Sequence, residues 1–240
     1  MSQIKVALIT GANKGIGLET ARQLAAKGVH VLLGARTLAK ATEAAGTALE
    51  PIELDVTNSA HIAAAVATIE SKFGHLDILI NNAGIMVEGL DWTANTSTTV
   101  THNILRQTYD TNFFGVVALT QALLPLILKS PAGRIVNVSS ILGSLTLHAT
   151  EGSPIYNSNP FAYDSSKTAL NAFTIHLAHA LKDTPVKVNS AHPGWVKTEM
   201  GGEGAMMEIQ DGATTSVELA LLPPSGPTGG YFHLGKSLPW

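Results

Sequence analysis

The sequence predicts an α/β fold: a doubly wound, Rossmann-like three-layer sandwich around a seven-stranded parallel sheet, in one domain over residues 1–240. Three observations carry this. Apolar runs of strand length alternate with amphipathic stretches of helix length. The runs are continuous and rich in β-branched residues, as strands covered on both faces require. A glycine loop joins the first run to the first helix, the place where such sheets bind ligands.

The elements follow in order. "KVALIT" leads through the loop into "GLETARQLAAKG". "HVLLGA" precedes "LAKATEAAGTAL", and "PIELDV" precedes "SAHIAAAVATIESKFG". "LDILINNAG" comes before a polar stretch and a helix over 100–129. "GRIVNVSS" precedes an irregular segment and an apolar helix over 161–182. "VKVNSAHPG" and "GGYFHLG" supply the last two strands, and "LLPPSGPTGG" at 221–230 reads as a turn into the seventh. No linker, repeat or low-complexity block divides the chain.

Composition narrows the function classes. Apolar residues make up 45% and charged residues 14%, enough for a large core and too apolar for long disorder. The net charge of −3 without a basic stripe argues against a nucleic-acid partner. Cysteine is absent, which removes disulfide and thiolate chemistry. The nine histidines show no metal-binding spacing, so no metal is expected. The short apolar start does not read as a signal peptide. No window reaches the roughly 18 apolar residues of a membrane span. The expectation is a soluble cytoplasmic protein with no membrane partner.

"TGANKGIG" at 10–17 holds Gly11, Gly15 and Gly17 between a strand and a helix. That context suits a pyrophosphate at a helix N-terminus. The second strand ends in "LLGAR", with no carboxylate to bind a ribose 2′-hydroxyl. Arg36 there, with Lys14 in the glycine loop, suits a 2′-phosphate, so the expected cofactor is NADP(H). "YDSSK" sets Tyr163 and Lys167 four residues apart, on one helix face. They read either as a solubilising pair or as a proton donor with a cation that tunes it.

These motifs stand with "NNAG" at 81–84, "TNFFG" at 111–115, "VNVSS" at 136–140 and "HPGWVKTEM" at 192–200. Together they resemble the short-chain dehydrogenase/reductase superfamily, in its single-domain branch. "GPTGGYF" near the end adds a likeness to its carbonyl-reductase-type members. The resemblance implies NADPH-dependent reduction of a ketone or aldehyde to an alcohol. The alternatives are an NADP-dependent alcohol dehydrogenase working toward oxidation and a non-catalytic NADP(H)-sensing regulator.

Residue roles follow from the resemblance. Tyr163 gives the proton, Lys167 lowers its pKa and holds the nicotinamide ribose, and Ser140 polarises the substrate carbonyl. Ser139 is a rival that "SS" alone does not rank, although the family pattern favours Ser140. Asn112 holds its helix open around a water that links Lys167 to solvent. Gly11, Asn13, Lys14, Gly15, Ile16, Gly17 and Arg36 take the phosphates and adenine ribose. Asp55 binds the adenine amino group with Val56 on the ring; capping of the next helix is the competing reading of Asp55. Asn82 braces the central sheet while Ala83 and Gly84 admit the ribose. Pro193, Gly194, Val196 and Thr198 shape the nicotinamide loop.

The interval from Ser140 to Tyr163 is longer than is usual in the superfamily. The extra segment, "LHATEGSPIYNSNP", reads as a loop that walls the pocket, covers a dimer surface or has no role. Helices 100–129 and 161–182 match the family's dimer surface, which implies a homodimer or homotetramer. Trp195, Met200, Met206 and Met207 in the loop after the sixth strand offer an adaptable apolar wall, with Trp92 and Phe161 as further candidates. They point to an apolar carbonyl substrate under a glycine-rich lid.

Overall fold

The computed structural model describes residues 4–88 and 94–240. In chain order the elements are β1 (Val6–Ile9), α1 (Gly15–Ala26), β2 (His30–Ala35), α2 (Leu38–Ala45), β3 (Glu50–Glu53), α3 (Ser59–Phe73) and β4 (Ile78–Asn81). Then come α4 (His102–Tyr109), α5 (Gly115–Ile127), β5 (Arg134–Val138), α6 (Leu145–Ala149), α7 (Phe161–Ala180), β6 (Lys187–Ala191), α8 (Ile209–Ala220), β7 (Tyr231–His233) and β8 (Lys236–Ser237).

The sheet order is β3-β2-β1-β4-β5-β6-β7-β8. The first seven strands pair in parallel. The strand order reverses between β1 and β4, the switch point beyond whose carboxyl ends such sheets bind ligands.

Strand periodicity explains the three layers. Val6, Leu8, Leu32 and Leu79 point to the face packed by Ile69, Leu119, Leu123 and Ala178 of α3, α5 and α7. Ala7, Ile9, Val31, Leu33, Ile78 and Ile80 point to the face packed by Leu24, Ala41 and Val217 of α1, α2 and α8. Successive residues thus bury opposite sides, and both sides are apolar.

Five features depart from the expectation. An eighth strand joins the edge antiparallel to β7. Its hairpin turns on Leu234 and Gly235, at φ 46° and 75°, the two positive values that such a turn demands. The 100–129 helix is two helices joined by a π turn, Asp110–Phe114. The Met-rich segment taken as lid ends in α8. The segment read as a loop starts inside α6, whose Ser144 cap accepts through its hydroxyl from Leu147 N at 3.2 Å. The run His102–Ile127 is long enough to span a bilayer, and an 18-residue window within it reaches mean hydropathy 1.3, contrary to the window reading. Its apolar face is instead in the core, through Leu119, Leu123, Leu126 and Ile127.

Candidate active site

β5 delivers two serines at its carboxyl end, and the structure separates them. Ser140 opens a short 3₁₀ turn and accepts from Leu142 N at 3.2 Å. Its hydroxyl stands against the Tyr163 phenol and favours the phenolate there. Ser139 lies against the Tyr231 phenol instead, outside strict hydrogen-bond geometry. Ser140 is therefore the serine grouped with Tyr163.

Tyr163 and Lys167 are buried on one face of α7, with the Lys167 ammonium 5.6 Å from the Tyr163 ring centre. The solubilising-pair reading fails on burial. Lys167 Nζ donates to Val138 O at 2.8 Å, which ties α7 to the end of β5. Burial pushes the phenol up to about 12; Ser140 pulls it down and Asp164 adds to the rise. Burial lowers Lys167 to about 8. Desolvation of the phenolate dominates in the chain without coenzyme; the expected depression by Lys167 belongs to the complex with the oxidised, positively charged nicotinamide ring.

Asn112 sits in the π turn and is fully buried. Its Oδ1 accepts from Ile85 N at 2.8 Å, and its Nδ2 donates to Ile85 O at 2.9 Å and to Ser166 Oγ at 3.1 Å. It joins the segment after β4 to α7. A Cβ on Gly84 would lie 3.5 Å from both Asn112 Oδ1 and Lys167 Nζ, so these groups meet around that glycine.

The glycine loop lies against the same segment. Gly11 has φ 60°, and a Cβ there would lie 2.9 Å from the Ala83 backbone. A Cβ on Gly17 would strike Asn82 Nδ2 and lie 2.8 Å from Gly11 O. Asn82 Nδ2 donates to Thr10 O at 2.9 Å and to Gly11 O at 3.1 Å, and Thr10 Oγ1 accepts from Ala83 N at 2.9 Å. Asn82 therefore clamps the glycine loop and does not brace the sheet. The brace is Asn81, which donates to Thr120 Oγ1 at 3.0 Å and to Asn137 Oδ1 at 2.8 Å. "NNAG" names both asparagines without ranking them.

Asp55 accepts from Thr57 N at 2.9 Å, while Asn58 caps α3. The capping alternative for Asp55 is thereby set aside. Val56 is buried against Gly115 at the start of α5. Arg36 is exposed directly after β2. Lys14 is exposed and ion-paired with Glu199 of the loop after β6.

A cavity of about 100 Å³ opens between these parts. Ser140, Tyr163, Ile16, Pro193, Gly194, Val196, Thr198 and Met200 line it, with Met86, Leu142, Gly201 and the second serine, Ser139. Trp195 and Met206 are not among these lining residues. Trp195 is outside the lining; its Nε1 donates to Gly201 O at 2.8 Å and its ring covers Gly204. Met206 is 80% exposed. Met207 packs on Gly194, and Phe161 is exposed at the start of α7. Trp92 lies outside the described residues.

Sequence reasoning passed over Met86, Leu142 and His192. Isolated apolar residues carry no signal of their own, but His192 stands inside "HPGWVKTEM". Burial lowers its pKa to about 3, helped by His233. As a neutral acceptor, its Nδ1 takes Ile141 N at 3.2 Å and Gly194 N at 3.4 Å. It couples the serine turn to the loop after β6.

A sequence profile described as "short chain dehydrogenase" matches residues 5–208. The chain belongs to the short-chain dehydrogenase family. Among its relatives, "(+)-neomenthol dehydrogenase" of Capsicum annuum is 34% identical, over 95% of each chain. "Carbonyl reductase [NADPH] 1" of Mus musculus is 34% identical, over 98% of each. The solved NADPH-bound carbonyl reductase from chicken fatty liver superposes with TM-score 0.85 and 27% identity, over 99% of this chain and 100% of that one. In this short-chain dehydrogenase the cradle fits a dinucleotide. Gly11, Gly15 and Gly17 leave backbone room that side chains would fill, and the N-terminus of α1 faces it with no side-chain cap.

Proposed function

We propose that the chain reduces a ketone or aldehyde carbonyl to an alcohol, with NADPH as reductant and Tyr163 as proton donor. One observation carries this: Ser140 and Tyr163 present adjacent hydroxyls to a small cavity walled by Met86, Leu142 and Met200, beside the glycine cradle.

Bound in that cradle, NADPH supplies the hydride. Gly11, Asn13, Gly15, Ile16, Gly17, Asn82, Ala83 and Gly84 would hold its phosphates and ribose. Lys14 and Arg36 would meet the 2′-phosphate, Asp55 and Val56 the adenine, and Pro193, Gly194, Val196 and Thr198 the carboxamide. Ser140 donates to the substrate carbonyl oxygen and orients it. Tyr163, neutral at working pH, then gives that oxygen its proton. Lys167 holds a positive charge near the phenol in its protonated form and stabilises the phenolate left behind. Asn112 keeps α7 and the segment after β4 in register. The apolar walls favour an apolar carbonyl compound. A homodimer or homotetramer through helices 100–129 and 161–182 belongs to the same proposal, supported by Phe114 of the π turn and Ile175 of α7, which are 47% and 40% exposed.

The test is NADPH oxidation measured against a panel of ketones, aldehydes, quinones and ketoesters. Turnover of apolar members, with little use of NADH, is expected. NADPH binding without turnover of any member would instead favour the sensing regulator.

A further inference from the structure

Three buried or half-buried titratable groups near Tyr163 have no part in that reaction: Glu88, Asp164 and His148. Glu88 follows β4 and is 7% exposed. Its Oε1 accepts from Ala162 N at 2.7 Å, and its Oε2 from Tyr163 N at 3.0 Å. α7 begins after Pro160, which offers no side-chain cap. Glu88 takes that place from across the molecule, where unpaired N–H groups and the helix dipole favour a carboxylate. The same segment is held at Ile85 by Asn112, and its Met86 lines the cavity. One stretch of chain thus walls the pocket and grips the backbone of Tyr163.

Asp164 is the neighbouring acid, and its Oδ1 is buried without a partner. Its Oδ2 lies 3.4 Å from His148 Nε2, which is closer to Leu142 O at 2.9 Å. Burial raises both carboxyls; the Ala162 and Tyr163 amides pull Glu88 back down, while Glu88 raises Asp164 further. Glu88 holds two N–H donors and Asp164 only the long histidine contact. The geometry therefore places the charge on Glu88 and the proton on Asp164.

We propose that Glu88 is a positioning residue: its carboxylate fixes the first turn of α7 and thereby the reach of the Tyr163 phenol toward Ser140. The positioning role rests on the reading of Tyr163 as proton donor; the clamp on the two amides does not.

Glu88→Ala removes both acceptors, and Glu88→Gln keeps the shape and one of them. Hydrogen exchange at single amides of the full chain, without substrate, reads the clamp. Exchange at Ala162 and Tyr163 should quicken about tenfold or more in Glu88→Ala and less in Glu88→Gln. With NADPH and a turned-over ketone, kcat should fall about tenfold or more in Glu88→Ala and recover in part in Glu88→Gln. The NADPH Kd should stay within about threefold, since the cradle is untouched. Unchanged exchange at both amides overturns the clamp. Faster exchange with native kcat overturns the positioning role, as does a loss of NADPH affinity that matches the loss of kcat. If Glu88→Ala does not fold, Glu88→Gln decides by the same readouts. A native protein that reduces no carbonyl refutes the proton-donor reading and the positioning role with it, while exchange still decides the clamp.

Discussion

Asp164 gives the site a pH signature. Its carboxyl is raised to about 8, by burial first and by Glu88 second, from an ordinary value of 3.8. Between those values the folded chain binds a proton that the unfolded chain has released, so stability falls as pH rises from about 4 to about 8. The groups facing it are Glu88, His148 and the Tyr163 phenol. Lys167, lowered to about 8, acts in the opposite sense and only above that pH. Asp164→Asn should flatten the decline: its Tm should fall between pH 5 and 8 by about 4 °C less than the native Tm, the equivalent of about 1–2 kcal/mol in a domain this size. Equal declines would show that Asp164 ionises normally. Gly17→Ala reads the cradle at the same scale. Its methyl would displace the Asn82 clamp, so NADPH affinity should drop about tenfold or more, measured by fluorescence titration, with the fold retained. Gly17, Tyr163 and Lys167 were legible because their spacing is itself the chemistry. Glu88 was not, because a lone acid in "IMVEG" gives no hint that α7 lies above it.

At the scale of elements, periodicity recovered each strand of the parallel sheet and the long helices, since a two-sided core writes itself into apolar runs. It missed the π turn. A π turn inserts one residue into a helix without interrupting its apolar face, so 100–129 reads as continuous. Asn112 gains its contacts from that bulge, which points its amide at Ile85 and Ser166. Asn112→Ala should leave buried polar groups unpaired and cost about 1–3 kcal/mol, read as a lower urea midpoint. An unchanged midpoint would mean that the amide contacts are dispensable. α8 was hidden because the Met and Gly residues before it suggested a lid. The eighth strand was hidden because it has two residues.

For the molecule as a whole, the switch in strand order between β1 and β4 brings distant segments together, and the proposed coenzyme selection rests on the charges beside them. Lys14 is held by Glu199, so a 2′-phosphate would have to compete with that carboxylate. Arg36→Ala should raise the KM for NADPH about tenfold and leave that for NADH unchanged, and added salt should weaken NADPH more than NADH. Coenzyme preference was readable because strand two ends in arginine without an acid. Substrate was not, because pocket walls come from Met86, Leu142 and Met200, which converge only in three dimensions. The most direct measurement compares Tyr163→Phe with the native chain, for ketone turnover and NADPH binding in parallel. Turnover should fall about 10³-fold while the NADPH Kd stays within about threefold. Turnover within tenfold of native would contradict the assignment of Tyr163 as proton donor.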